Sequence, residues 1–378
     1  VRILFTFIGG SGHFQPLVPV ARAAQAAGHA VAVAGSGNLV PVIEAAGFTA
    51  FATSEPRPRP ASEPPPALEP ADPAGEDRQL REGFAGTGAR RHARVLPDII
   101  AAWQPDMLVR DEVDFGTAVV AELLGIPCAT VLVLAAGTFL RKELVAEPLN
   151  DLRASHGLPP DPELGMLDRG LVLSPFPTNF RSPAHPLPPT AFSYRPHDVT
   201  RAATARERPA VYATLGTVYT NPELHSRILA GLRDLPVDVV MTVGKHLDPL
   251  AFGPQPAHIR IEQFIPQDEV LPHTDLTVTH AGSGSLAGTL ACGLPSVLLP
   301  MGADQPHNAE RCAALSVSLV LDPMTATPGT IREAAATVLA DPAYRQAARR
   351  VQREISELPP VSEALARLEQ LRNEGAGG

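Results

Sequence analysis

The segment His280 to Ser285 reads HAGSGS and stands between a short apolar run and an apolar helix-like stretch containing Leu286 and Leu290. Glycines at 282 and 284 permit close backbone approach, the hydroxyls of Ser283 and Ser285 are donors, and converging backbone amides at such a turn suit an anion such as phosphate. His280 either donates to a phosphate oxygen or caps the strand before it. Near the other end of the chain, GGSGH places His13 after the first apolar run. Its imidazole, with an unperturbed pKa near ~6.5, is suited to removing a proton at neutral pH once a partner fixes its tautomer. Asp111 follows the apolar run 107–110 and is the partner expected if both runs lie in one sheet. The competing reading makes His13 a helix cap and Asp111 the cap of the next helix. Asp304, Gln305 and Asn308 form a third group, suited to sugar hydroxyls or to an ordinary helix start with Pro306 early in it. Phe264, in QFIPQ, could stack on a flat base or fill a local core.

Positioning these groups requires strands that end where they begin. Residues 1–7, 29–34, 48–53, 107–110 and 128–134 are short apolar runs, alternating with helical patterns over 16–27, 39–46, 77–102 and 115–124. That alternation predicts a parallel sheet. A second series begins at 211–215 and continues through 237–243, 276–279, 296–299 and 317–321. The reading is therefore α/β, with two Rossmann-like domains whose ligand-binding edges share one cleft. Domain limits are predicted at 1–200, 210–358 and a terminal helix over 359–378, with a Pro-rich loop at 54–75 and a linker near 196–209.

Composition narrows the partners. Forty acidic against 31 basic residues give a net charge of −9, and no basic block interleaves with aromatics, which excludes nucleic acid as an expected partner. The three cysteines, 128, 292 and 312, are widely spaced and fit neither a disulfide framework nor a zinc site, as suits a reducing cytoplasm. No apolar run has the ~18 to 20 residues needed to span a membrane, so neither a membrane nor an export route is expected. The first turn is GGSGH rather than GxGxxG, and no acidic residue closes the second strand, so a nicotinamide dinucleotide site is not expected either.

Taken together, GGSGHFQP at the amino terminus, FIPQ at 264–267 and HAGSGSLAGTLACGLPSVLLPMGADQPHN at 280–308 resemble the bacterial glycosyltransferases that use nucleotide diphosphate sugars to decorate polyketide-type natural products. The resemblance covers nearly the whole chain and implies the GT-B fold. It implies that His13 is the general base and Asp111 its partner. Gly216, Thr217, His280, Gly282, Ser283, Gly284 and Ser285 would surround the donor diphosphate, Phe264 would stack on the base, and the Ile265 backbone would read its edge. Asp304 and Gln305 would hold the transferred sugar, and the terminal helix would pack back on the first domain. Gly288 stands where plant-type relatives carry a ribose-binding glutamate, which points to a deoxythymidine diphosphate (dTDP) donor, although backbone groups could bind uridine equally.

The reaction implied is a direct inverting displacement at the anomeric carbon, in which His13 activates an acceptor hydroxyl, with closure of the two domains. The nucleotide sugar is a co-substrate, with no tightly bound cofactor and no metal. The partners expected are that donor and a small hydroxylated aglycone, with a homodimer open. A nucleotide-sugar epimerase or hydrolase, and a non-catalytic auxiliary subunit, are the alternatives on the same fold.

Overall fold

The computed structural model describes residues 1–57, 67–196, 207–216 and 221–375. The chain divides into two compact units, one comprising Val1–Pro60, Pro73–His197 and Leu358–Gly378, the other Ala61–Asp72 and Asp198–Glu357. Thr217, most of the linker near 196–209 and the centre of the Pro-rich loop lie outside the described residues. Leu68, within that loop sequence, packs half-buried on the second unit's core.

The first unit holds a seven-stranded sheet with strands β1 (Arg2–Thr6), β2 (Ala30–Gly35), β3 (Thr49–Ala52), β4 (Met107–Asp111), β5 (Cys128–Val131), β6 (Val172–Ser174) and β7 (Ala191–Ser193). Every pairing is parallel, in the order β3-β2-β1-β4-β5-β6-β7. Both faces of such a sheet must be covered. Ile3, Phe5 and Val109 point to one side, where the helix Val18–Ala26 and the terminal residues Ala364, Leu365 and Leu368 complete the core. Leu4 and Leu108 point to the other, against the helices Ala89–Trp103 and Phe115–Leu124.

The second unit repeats the plan with β8 (Ala210–Thr214), β9 (Asp238–Thr242), β10 (Ile259–Glu262), β11 (Leu276–Thr279), β12 (Ser296–Leu298) and β13 (Ser318–Val320). Their order is β10-β9-β8-β11-β12-β13, again parallel throughout. In each sheet the connections run one way from the first strand and then jump to its other side. The topological switch points therefore fall between β1 and β4 and between β8 and β11, where an open parallel sheet leaves a crevice beyond its strand ends.

Several local expectations change. The apolar run 128–134 is strand only as far as Val131: the Leu132 amide still donates to the Leu173 carbonyl at 2.9 Å, but Val133 and Leu134 donate instead to Glu112 Oε2 at 3.1 and 3.0 Å. The single helix expected over 77–102 is three segments, Pro73–Arg78, a π-helical stretch Gln79–Gly88 and Ala89–Trp103. Gly88 lies so close to Ile8 that a Cβ there would sit 2.2 Å from its Cδ1. Among the described residues no helix is long and apolar enough to cross a membrane.

Candidate active site

β1 and β4 are neighbours in register, Thr6 opposite Arg110, so the residues leaving their carboxyl ends are brought side by side. The chain turns at Gly9, with φ of +109°, and enters a short helix Ser11–Phe14 that carries His13. From β4, Asp111 is fully buried and places Oδ2 3.2 Å from His13 Nδ1, an ion-pair distance. The carboxylate is held on every side. Oδ2 also accepts from Ile8 N–H at 2.9 Å, while Oδ1 accepts from Val113 and Asp114 N–H at 2.7 and 2.8 Å. Asp111 thus faces the imidazole and does not cap the following helix; Asp114 does that, accepting from Thr117 N–H. The helix-cap reading of His13 also lapses, since the residue lies inside a helical turn. The Phe84 ring, on the π-helical stretch, lies 5.7 Å from the His13 ring centre.

The second group gathers at the other switch point. β11 ends at Thr279 opposite Thr214, the last residue of β8, so His280 and Gly216 leave the sheet together. A Cβ on Gly216 would fall 2.6 Å from His280 Cε1, and one on Gly282 would fall 2.5 Å from Nε2, so the ring is packed directly on glycine backbone. Burial pushes the His280 pKa down to about 4, against a hydrogen bond to the Thr214 backbone, and the ring is neutral at neutral pH. Gly282 is the N-cap of the helix Ser283–Ala291 and supplies no side chain to satisfy its first amides. Those amides and the helix dipole favour a negative group at this end.

Asp304 and Ser283, assigned in sequence to different parts of a ligand, are bonded to each other: the Ser283 hydroxyl donates to Asp304 Oδ2 at 2.5 Å. Asn308 ties the arrangement down, its amide donating to the same oxygen at 2.7 Å and to the Ala281 carbonyl at 3.0 Å. Ala281 and Ala303 have positive φ, +67° and +56°, which for alanine is strained backbone at both ends of this cluster. Asp304 makes no side-chain cap on its own helix, Gln305–Ala314. Gln305 is buried and its side-chain oxygen accepts from Met301 N–H at 2.8 Å, which makes its amino group the end suited to a ligand.

Phe264 follows β10 and is 60% exposed, so it is not a core residue, whereas Ile265 packs half-buried beside Leu271 and Leu294. Ser285 and Gly284 sit in the first turn of the glycine-rich helix, and Ser285 Oγ accepts from Gln267 at 3.3 Å. A side chain at Gly288 would meet Leu271 at 2.8 Å and Gln267 Oε1 at 3.1 Å, so that space is already filled. Among the described residues no group of three or more His, Cys, Asp or Glu side chains is placed to hold a metal ion.

Sequence reasoning reached His13, Asp111 and the glycine-rich turn, but not Gly9, whose missing Cβ makes room for the His13 ring. The repeated glycine at the end of the first strand was the available signal.

Comparison with known proteins agrees with this geometry. Residues 226–371 match the family described as erythromycin biosynthesis protein CIII-like, C-terminal domain. The chain is 28% identical to the L-demethylnoviosyl transferase of Streptomyces niveus, across 97% of this chain and 98% of that one. It is 27% identical to the TDP-daunosamine transferase DnrS of Streptomyces peucetius, across 98% and 97%. The crystal structure of CalG4, the calicheamicin glycosyltransferase, superposes with a TM-score of 0.80 at 25% identity, covering 98% of each chain. Two parallel-sheet units of matching plan, a histidine–carboxylate pair at one switch point and a glycine-rich helix start at the other go with these likenesses: the chain has the GT-B fold and is a glycosyltransferase that uses a nucleotide diphosphate sugar.

Proposed function

We propose that this enzyme transfers a deoxysugar from a dTDP donor to a hydroxyl of a small polyketide-type natural product, with inversion at the anomeric carbon. The observation that carries the reading is the His13–Asp111 pair, in which a fully buried carboxylate meets Nδ1 at 3.2 Å while backbone amides fill its other positions. With Nδ1 turned to Asp111, Nε2 is the nitrogen that takes the acceptor proton, and the fixed carboxylate stabilises the imidazolium that results. General-base assistance of this kind contributes about 10²–10⁴-fold.

On the donor side, the first turn of Ser283–Ala291, with Gly216, His280, Gly282, Ser283, Gly284 and Ser285 around it, receives the diphosphate. Backbone dipoles then meet the charge that develops on the leaving group, and His280, being neutral, acts there as a hydrogen-bonding group rather than as a cation. Exposed Phe264 stacks on the base, the Ile265 backbone reads its edge, and Asp304 with Gln305 holds the sugar. The dTDP preference is supported by the absence of a side chain at Gly288 that could engage a ribose 2′-hydroxyl, and by the likeness to a TDP-daunosamine transferase.

A panel of nucleotide sugars and polyketide-type acceptors, with products identified by mass and linkage, tests the assignment. A glycoside with inverted anomeric configuration is expected. A free sugar or an epimerised nucleotide sugar as the sole product, with competent acceptors present, would contradict it.

A further inference from the structure

Behind Asp111 lies a second histidine–carboxylate pair, fully buried and with no access to substrate. His92 Nδ1 stands 2.9 Å from Asp114 Oδ1, both side chains being completely covered, and His92 Nε2 lies 3.1 Å from the Thr53 hydroxyl at the end of β3. The other carboxylate oxygen of Asp114 accepts from the Thr117 hydroxyl at 2.7 Å, and that hydroxyl lies 2.8 Å from Thr6 Oγ1 at the end of β1. Burial alone would raise the Asp114 pKa, but His92 and the hydrogen bonds around it bring it down to about 2, so the group is a buried anion.

The arrangement is built for closeness. A Cβ on Gly116 would lie 2.4 Å from the Ala89 carbonyl oxygen and 2.7 Å from His92 Cβ, so only glycine there lets the helix Ala89–Trp103 come near enough to seat His92 on Asp114. Asp114 is also the residue whose backbone N–H donates to Asp111 Oδ1. One residue therefore links the two pairs: its side chain is anchored to the ends of β1 and β3 through Thr6, Thr117, His92 and Thr53, and its main chain holds the carboxylate that faces His13.

We propose that His92 and Asp114 are positioning residues for the sugar transfer, fixing the 111–114 turn so that Asp111 meets His13 at the correct angle. The proposal rests on the reading of His13 and Asp111 as the catalytic pair. A buried histidine–carboxylate pair in this position costs desolvation and is weak support for stability, whereas its geometric constraint on a neighbouring carboxylate is direct.

The test is a kinetic cycle on the full-length enzyme with His92→Leu, His92→Asn, Asp111→Asn and the His92→Leu/Asp111→Asn double variant. His92→Leu is expected to lower kcat about tenfold or more while donor and acceptor KM stay within about threefold, since geometry of the base and not binding is disturbed. His92→Asn, which keeps an N–H donor toward Asp114, should recover most of that loss. In the Asp111→Asn background His92→Leu should cost less than about twofold, because its effect is transmitted through Asp111. A folded His92→Leu enzyme with wild-type kcat, or the same loss in both backgrounds, would overturn the proposal.

If His92→Leu does not fold, Thr53→Val serves instead. It removes only the outer hydrogen bond, and should shift the ring nitrogen resonances of His13 and lower kcat; unchanged resonances and kcat overturn the proposal. His13→Ala run in parallel separates the two levels. Its retention of turnover would remove the catalytic-pair reading and this inference with it, whereas its loss beside an unaffected His92→Leu removes this inference alone.

Discussion

Gly9 and His13 compete for one volume: a Cβ at Gly9 would stand 2.6 Å from Cδ2 and 2.9 Å from Nε2 of the His13 ring. The glycine also has φ of +109°, a conformation that side-chain-bearing residues rarely adopt. Gly9→Ala is therefore expected to strain the turn and push the imidazole away from Asp111. Turnover should fall by about tenfold or more while nucleotide diphosphate affinity, proposed above for the other unit, stays within about twofold. Steady-state kinetics beside calorimetric titration of the nucleotide would check both halves.

Gly216 and Gly282 both press on His280 but for different reasons. At Gly216 the backbone itself, with φ of +75°, excludes a side chain, whereas Gly282 has an ordinary extended conformation and only the space is missing. Alanine at either position should weaken nucleotide diphosphate binding, by about tenfold or more, and Gly216→Ala should be the more damaging of the two. Calorimetry on the two variants would establish the order.

Asn308 is fully buried and its amide donates to Ala281, Ser283 and Asp304, joining the glycine-rich turn to the start of the next helix. Asn308→Ala should leave these acceptors without that donor and cost about 1–3 kcal/mol of stability. Denaturant unfolding monitored by fluorescence or circular dichroism gives the value, and loss of donor binding in the folded variant is expected alongside it.

The depressed pKa of His280 makes the folded state resist protonation. Between the unfolded value of 6.5 and the folded value of about 4, the unfolded chain binds the proton and the folded chain does not. Stability therefore rises with pH through that window and is lost on acidification from 6.5 toward 4. His225, which burial also holds below its usual value, adds in the same direction. His280→Gln is expected to flatten this part of the pH–stability curve, and unfolding measured at several pH values between 4 and 7 would show it.

The long apolar strands and the two switch points were legible because parallel strands buried on both faces read as continuous apolar runs. The residues at their ends, His13, Asp111 and His280, could be placed once the sheets were. β6 and β7, three residues each and flanked by prolines, and β10, the half-polar IRIE, carry too few apolar side chains to be read as strands. Leu132 to Leu134 mislead in the opposite sense: they are buried like a strand, but only the Leu132 amide pairs with the neighbouring strand, at Leu173, while those of Val133 and Leu134 serve Glu112. The π-helical stretch that brings Phe84 to His13 has no periodic signature, and the pairing of His92 with Asp114 depends on a close helix contact at Gly116 that only the assembled unit reveals.

The central claim is that His13, oriented by Asp111, removes the acceptor proton. Single-turnover transfer by His13→Ala, measured at saturating donor and acceptor with the glycoside quantified by mass spectrometry, tests it most directly. The rate should fall by about 100-fold or more, with nucleotide diphosphate affinity unchanged within about threefold. Transfer by the variant at a rate within about threefold of the wild-type enzyme would contradict the account.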